Sequence, residues 1–326
     1  MSLDSDVIVD RRRIRRKLTF WRVVAALAAI AAIATIGVVA TPGGRNAFAT
    51  SGSIARVNIE GLIRSDHDRV EALERLEKSN AAAVVVHINS PGGTTAGSEQ
   101  LYDSLMRLKA KKPLVVVVEG LAASGGYITA IAADHIVAQQ TSLVGSIGVL
   151  FQFPNFSDLL KTVGVKVEEV KSSPLKAAPN GFEPTSPEAR AALDSLVKDS
   201  YAWFRGLVKA RRGMDDALLE TVADGRVFTG HQAVDLKLVD QIGDEKTAVA
   251  WLVAEKGVKA DLPVREYKLS PRFGDLTFLR TAASITLDAL GFGAIARRVE
   301  QAGVAQAVDC LGLDGMLALW QPAGTN

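Results

Sequence analysis

The chain has 326 residues, of which 48% are hydrophobic and 23% charged, which is enough for one large α/β domain with an extensive core. The net charge of +2 owes much to a basic N-terminal cluster, so composition gives no support for nucleic-acid binding. The single cysteine excludes a disulfide within the chain, and neither a metal-ligand cluster nor a phosphate-binding loop is recognisable, so we expect no metal and no cofactor.

The N-terminal segment has the pattern of a membrane anchor. Arginine and lysine residues between 11 and 22 precede an uncharged run at 23–40, close to the ~20 residues that a spanning helix needs. We therefore predict a basic cytoplasmic segment at 1–22, a transmembrane helix at 23–40 and a linker at 41–52. The alternative is a cleaved signal peptide, because Ala47-Phe48-Ala49 has the form of a cleavage site.

After the linker, short apolar runs alternate with amphipathic segments. Residues 55–59 alternate as in a first strand, and residues 82–88 and 113–118 are β-branched runs typical of buried parallel strands. Residues 66–79 and 95–109 are predicted to be helices. This order of strands and helices indicates an α/β fold with right-handed crossovers.

A glycine-containing turn follows each of the two buried strands. The turns are Asn89-Ser90-Pro91-Gly92-Gly93 and Ala123-Ser124-Gly125-Gly126. Both would lie at the carboxyl edge of one sheet, where open α/β folds place their chemistry. Ser124 could there expose a nucleophilic hydroxyl, while N–H groups of Gly125 and of Gly92 or Gly93 stabilise an oxyanion. Ser-Gly-Gly by itself is more often only a turn, so the prediction depends on the pairing of the two motifs.

No histidine is well placed as the base for such a serine. The four histidines lie inside a predicted strand, at the start of an apolar run or at predicted helix starts: His87, His135, His67 and His231. A lysine can take this role where desolvation lowers the pKa of its amine. Lys176 fits best, because it has no charged neighbour between residues 172 and 180. Since most lysines are simply solvated, the residues alone leave this assignment open.

The second half continues with predicted strands and helices. Residues 165–170 alternate as in a strand, and Ser186-Pro187 opens a long amphipathic helix that extends to about residue 209. Residues 263–326 carry no motif, and their charges are too closely spaced for a second spanning helix. We interpret them as an amphipathic extension that packs on the domain, on a neighbouring subunit or on the membrane surface.

Several motifs in a fixed order carry a family resemblance. They are Ile88-Asn89-Ser90-Pro91-Gly92-Gly93, Ala123-Ser124-Gly125-Gly126-Tyr127, Ala132-Ala133-Asp134, Leu143-Val144-Gly145-Ser146-Ile147-Gly148-Val149, Lys171-Ser172 followed by Lys176, and Asp224-Gly225-Arg226-Val227. The stretch from about residue 54 to 257 resembles the bacterial signal peptide peptidase A family, membrane-anchored Ser/Lys proteases related in fold to Clp protease and the crotonases. The resemblance implies an α/β fold of repeated ββα-type units with an N-terminal transmembrane helix and a peptidase domain at 53–262.

The resemblance also implies roles for individual residues. These are Ser124 as nucleophile, Lys176 as general base, Ser146 as a hydrogen-bond partner of the lysine amine, and Gly92, Gly93 and Gly125 as the oxyanion hole. It implies hydrolysis of remnant signal peptides and other apolar peptides through an acyl-enzyme. The implied partners are peptide substrates, the lipid bilayer and further subunits of a ring-like homo-oligomer, in which serine and lysine meet across a subunit boundary. The implied location is the bacterial inner membrane, single-pass, with the catalytic domain in the periplasm.

Two other classes of protein have the same glycine turns. A crotonase-like binding or scaffold protein at the membrane would lack the nucleophile or the base, whereas both are present here. A crotonase-like acyl-CoA enzyme would be cytosolic, contrary to the basic and then apolar N-terminus. We therefore predict a serine peptidase, with the non-proteolytic scaffold as the alternative.

Overall fold

The computed structural model describes residues 52–269 and the backbone of residues 317–319. The predicted transmembrane helix at 23–40 and most of the predicted extension at 263–326 lie outside these residues. Within the described ranges, no helix is long and apolar enough to cross a membrane.

The described strands form one nine-stranded sheet. They are β1 (Ser53–Ile63), β2 (Ala81–Thr94), β3 (Leu114–Ala123), β4 (His135–Ala138), β5 (Leu143–Gly145), β6 (Val227–Thr229), β7 (Gln241–Ile242), β8 (Val264–Glu266) and β9 (Leu317–Leu319). The main order is β6-β5-β3-β2-β1-β8, with β4 beside β3 and β7, and β9 beside β2. β1, β2 and β3 are parallel neighbours, as their apolar sequences predict.

Eight helices accompany the described part of the sheet. They are α1 (His67–Glu77), α2 (Thr95–Lys109), α3 (Gly125–Ala130), α4 (Ser157–Thr162), α5 (Pro187–Arg212), α6 (Asp216–Val222), α7 (Gly230–Asp235) and α8 (Glu245–Lys256). The predicted helix starts are confirmed at Asp66, Ser186 and Thr229, because each side chain caps the helix by accepting a backbone N–H bond.

The two faces of the sheet are both covered. On one face, Val84 and Val86 of β2 pack with apolar residues of α1, α2, α3 and α5. On the other face, Val85 packs with Ala248 and Leu252 of α8. Because both faces are buried, the carboxyl ends of β2 and β3 are fixed from either side.

The strand predicted at 165–170 is wrong. These residues form a loop, and Val165, Val167 and Val170 are all exposed. Alternation specifies a strand only where one face becomes buried, and in the described protomer neither face of this segment is covered. The sheet, in turn, continues past residue 262, since β8 pairs with β1.

β3 changes neighbours part of the way along its length. Its first half pairs with β4, whereas Leu121–Ala123 pair with β5. The β2–β3 register shifts at the same place and reaches its last pair at Ser90 and Ala122. Beyond that pair β3 turns away, so the edge of β2 from Gly92 to Thr94 is left without β3 as a neighbour.

Candidate active site

Ser124 lies at the sharp turn between β3 and α3. Its backbone has φ 54° and ψ −116°, a left-handed conformation that costs a non-glycine residue about 1–3 kcal/mol. The Ser124 N–H donates to the Gly145 carbonyl at 2.8 Å, and its side chain does not cap α3. The hydroxyl is therefore not used for capping, and the turn resembles the strained strand-to-helix elbow that presents a nucleophilic serine in other hydrolases.

The sequence predicts an exposed hydroxyl at Ser124, but the structure buries this residue. The residue is only 1% exposed, because α3 packs directly against β2. A Cβ on Gly126 would lie 2.7 Å from the Ser90 carbonyl oxygen, so only glycine permits this approach. Ser124 thus lies between the end of β3, the start of α3 and the end of β2.

The three predicted oxyanion glycines occupy different environments. Gly92 has φ 103°, and its N–H donates to Ser90 Oγ at 3.1 Å. A Cβ on Gly93 would lie 1.8 Å from the Ile63 carbonyl oxygen, so β1 requires glycine there whatever the chemistry. Gly125 begins α3, where a backbone N–H has no partner within the helix. Gly125 is therefore the best-placed donor, and Gly92 is the weakest because its N–H is already bonded.

Ser90 is a structural residue of the site that the sequence reasoning missed. It is fully buried, and its Oγ donates to the Gly61 carbonyl at 2.6 Å while accepting the Gly92 N–H. These bonds fix the first glycine turn against β1. The only local signal was a serine within a Pro-Gly-Gly turn, where such side chains commonly bond to the backbone.

Ser146 lies beside Ser124, across the β3–β5 ladder. Ala123 is opposite Gly145, and the Ser146 N–H donates to the Arg226 carbonyl at 2.8 Å. Ser146 also has a positive φ of 52° and lines a cavity of about 350 Å³ together with Tyr201. The structure thus brings this predicted auxiliary residue to the nucleophile's side of the sheet.

Lys176 is not in contact with the nucleophile. It lies in an exposed turn, where its N–H donates to the Ser173 carbonyl at 3.1 Å. Within the described residues, no hydrogen bond joins it to Ser124 or Ser146. Among the described residues its chain neighbours leave it exposed, and Leu175 beside it is itself 49% exposed. The side chains around it in sequence do not fold back over the amine.

Lys171 is a less suitable base than Lys176. Its Nζ lies 2.5 Å from Glu169 Oε2 and 2.8 Å from Glu183 Oε1. Hydrogen bonds with these two carboxylates raise the pKa of Lys171 and favour its charged form. An ammonium cannot accept the serine proton.

His87 lies on the face of the sheet that α8 covers, and both of its ring nitrogens have partners there. Its Nδ1 lies 2.7 Å from Glu119 Oε1 and its Nε2 lies 2.7 Å from Glu245 Oε2. Glu245 is also bound by Arg56, whose hydrogen bond, ahead of the one from His87, lowers the pKa of the Glu245 carboxyl. Both ring nitrogens are thus occupied, as expected for a histidine with a structural role.

Asp134 and Arg226 have structural partners as well. Asp134 Oδ2 accepts the Leu114 N–H at 3.0 Å at the start of β3. Arg226 pairs with Asp224 in the turn before β6. Both residues stabilise backbone next to the site.

The fold and the serine turn define a serine peptidase of the Clp protease-like α/β class. The Clp protease family model matches residues 63–142, and the model for peptidase family S49 matches residues 106–259. The chain belongs to peptidase family S49, which includes proteins named signal peptide peptidase A and Protease 4.

Two relatives and one solved structure illustrate the similarity. A putative protease of Synechocystis sp., slr0021, is 36% identical over 65% of this chain and 78% of its own length. A putative signal peptide peptidase SppA of Enterococcus faecium is 31% identical over 68% of each protein. A ClpP1 variant of Listeria monocytogenes is 17% identical, with a TM-score of 0.39 over 58% of this chain and 91% of its own.

Proposed function

We propose that the protein is a membrane-anchored endopeptidase that degrades remnant signal peptides and other apolar peptides, with Ser124 as nucleophile and Lys176 as general base. The observation that carries this proposal is the strained turn at Ser124, which follows the last β2–β3 pair, between Ser90 and Ala122. A serine held at a positive φ by its surroundings is a costly feature that folding alone does not need.

The proposed reaction proceeds through an acyl-enzyme. The neutral amine of Lys176 removes the proton of Ser124 Oγ, which attacks the scissile carbonyl carbon. The N–H of Gly125, with that of Gly93 or Gly92, stabilises the oxyanion. When the C–N bond breaks, the lysine ammonium protonates the leaving amine. Water then attacks the ester with the same proton transfers and releases the second product.

Lys176 would come from a neighbouring subunit of a ring-like homo-oligomer. In support, the segment around it carries apolar side chains that are exposed among the described residues, including Val170 and Phe182. Exposed apolar surface of this kind favours a protein partner. Docked against another copy, the Lys176 amine would lose the solvent that now surrounds it.

The proposed location is the bacterial inner membrane, with the described domain on the periplasmic side. The support is the sequence pattern of a basic segment followed by the apolar run at 23–40. A reporter that is active only outside the cytoplasm, fused after Asn326, is expected to be active. A mature N-terminus at Thr50 would contradict the anchor.

Labelling with a fluorophosphonate tests the enzymatic proposal. The full-length protein is treated in detergent micelles and the modified peptide is mapped, with the label expected on Ser124. Ser124→Ala is expected to abolish labelling and the hydrolysis of signal-peptide substrates. The control is Ser172→Ala, which changes an exposed serine in the loop that carries Lys176 and should leave both unchanged. Absence of labelling and of hydrolysis in the wild type would favour the scaffold alternative.

A further inference from the structure

The described C-terminal strand occupies the candidate active site. β9 pairs antiparallel with β2, with Leu319 opposite Gly92, Ala318 opposite Gly93 and Leu317 opposite Thr94. Two of these three partners are predicted oxyanion glycines. A segment from the far end of the sequence therefore lies along the strand edge where the chemistry is expected.

This edge is open because of how the sheet divides. β1 covers one side of β2 up to Gly93, through Leu62 and Ile63. On the other side, β3 makes its last pair with β2 at Ser90 and Ala122 and then turns into Ser124. The backbone groups of Gly92–Thr94 on that side need another strand as a partner.

β9 runs toward the Ser124 turn. Because the pairing is antiparallel, β9 runs from its pair with Thr94 to its pair with Gly92, and this direction along β2 leads to Ser90, which lies opposite Ala122 and so next to the Ser124 turn. Extended peptides bind open strand edges in this way through main-chain hydrogen bonds. Glycine residues present no Cβ to obstruct such a strand.

The composition of the segment matches the same role. Residues 316–320 read Met-Leu-Ala-Leu-Trp and are uniformly apolar, like the proposed substrates. Because the strand belongs to the same chain as the site, its binding is intramolecular and needs less intrinsic affinity than that of a free peptide. Few individual contacts are then needed for it to exclude a free peptide.

We propose that Leu317–Leu319 is an internal inhibitory strand that competes with peptide substrates for the Gly92–Thr94 edge. This inference rests on the proposed function and adds regulation of the same site. A substrate must displace the strand before it reaches Ser124, so its apparent affinity falls in proportion to the fraction of molecules with a free edge.

Truncation of the full-length protein in detergent tests this competition. A variant ending at Met316 is compared with a matched control ending at Pro322, which keeps the strand, using a fluorogenic apolar peptide. If about one molecule in ten has a free edge, the KM of the Met316 variant falls about tenfold while kcat stays unchanged. The Pro322 control should behave as the wild type. An unchanged KM in the Met316 variant would overturn the proposal.

Point variants test the strand without truncation, and a binding assay tests it without catalysis. Leu317→Pro and Ala318→Pro each disturb the strand, and because N–H groups alternate in direction, one of them removes a donor directed at β2. A labelled peptide of residues 314–322 should bind the Met316 variant carrying Ser124→Ala and be displaced by apolar substrate. If no variant hydrolyses peptides, the proposed function fails, but this binding still decides the inference: lack of binding refutes it.

Discussion

The turn at Ser124 and the loop that carries Lys176, here called the lysine segment (residues 165–180), differ in burial. Ser124 is buried, and its turn packs so closely on the backbone of β2 that Gly126 admits no side chain. Lys176 lies in an exposed segment whose apolar side chains, such as Val170, have no cover in the described protomer. The described residues fix the turn at Ser124 within one chain, and the proposed function assigns the ordering of Lys176 to the surface of a neighbouring subunit.

This division has a consequence for catalysis. If Lys176 comes from a neighbouring subunit, as proposed, an isolated protomer is folded and yet inactive, because a serine without its base is inert toward peptides. Assembly would then switch on hydrolysis without any rearrangement of the sheet.

The largest effect is expected from removing either member of the dyad. Ser124→Ala and Lys176→Ala should each lower kcat/KM by about a thousandfold or more, and the double variant should be no worse, because the two residues act as one unit. The measurement is hydrolysis of a fluorogenic peptide, with Lys166→Ala as a control for loss of an exposed lysine.

Mixing the two inactive variants separates a shared site from a site within one subunit. If serine and lysine come from different protomers, subunit exchange should restore part of the activity, since some interfaces pair an intact serine with an intact lysine. Differential tags confirm mixed oligomers. A mixture that contains them and remains inactive would place both residues in one subunit.

A smaller but severe effect is expected at the rigid edge of the sheet. Gly93→Ala should lower the free energy of unfolding by about 3 kcal/mol or more, because the added Cβ would lie 1.8 Å from the Ile63 carbonyl oxygen. Gly206→Ala is the matched control: it lies in α5 with no heavy atom near the new Cβ and should be neutral or stabilising. Chemical denaturation measures both, and equal stabilities would refute the close approach.

The ion pairs of Glu245 with Arg56 and His87, on the face of the sheet covered by α8, should make a moderate, pH-dependent contribution to stability. Glu245→Gln should cost about 1–3 kcal/mol of stability at neutral pH, since Glu245 accepts charge-assisted bonds from Arg56 and His87. The pKa of Glu245 is lowered in the folded state, so this stabilisation is present above its unfolded pKa and is lost as the pH falls through its folded pKa.

Denaturation curves at several pH values measure this dependence. The difference between wild type and Glu245→Gln should shrink in acid, and Glu255→Gln, on the exposed side of α8, should change stability by less than about 0.5 kcal/mol. A difference that stays constant with pH would contradict the ionic origin of the effect.

The smallest effect on folding is expected in the lysine segment. Val170→Ser should alter the stability of the protomer by less than about 0.5 kcal/mol, because the side chain is fully exposed. It should nevertheless weaken assembly and lower activity, as measured by sedimentation and peptide hydrolysis. Unchanged assembly and activity would show that this apolar surface is not an interface.

Local patterns sufficed to predict much of the sheet and the turn at Ser124. β-branched runs mark β2 and β3, capping residues mark the starts of the helices, and α2 was predicted at its observed bounds. The predicted site residues Ser124 and Ser146 lie on adjacent, paired strand ends. Each of these signals depends on neighbours within a few residues along the chain or on one shared sheet edge.

What the sequence could not predict depends on distant partners. Alternation at 165–170 predicts a strand, but a strand forms only if another surface covers it. The burial of Ser124 and the exposure of Lys176 depend on packing that no local window contains. The pairing of Leu317–Leu319 with Gly92–Thr94 joins segments far apart in the chain. The short apolar run at 317–319 predicts at most a strand and does not specify which strand it pairs with.

The left-handed backbone at Ser124 places folding and chemistry in conflict. A glycine there would adopt the same φ of 54° without steric penalty, so Ser124→Gly should relieve strain of about 1–3 kcal/mol, offset by the roughly 0.5–1 kcal/mol of extra freedom that glycine gives the unfolded chain. The inactive protein would then be at least as stable as the active one. A screen for thermal stability alone would therefore favour replacement of the proposed nucleophile, so engineering for stability has to keep serine at position 124.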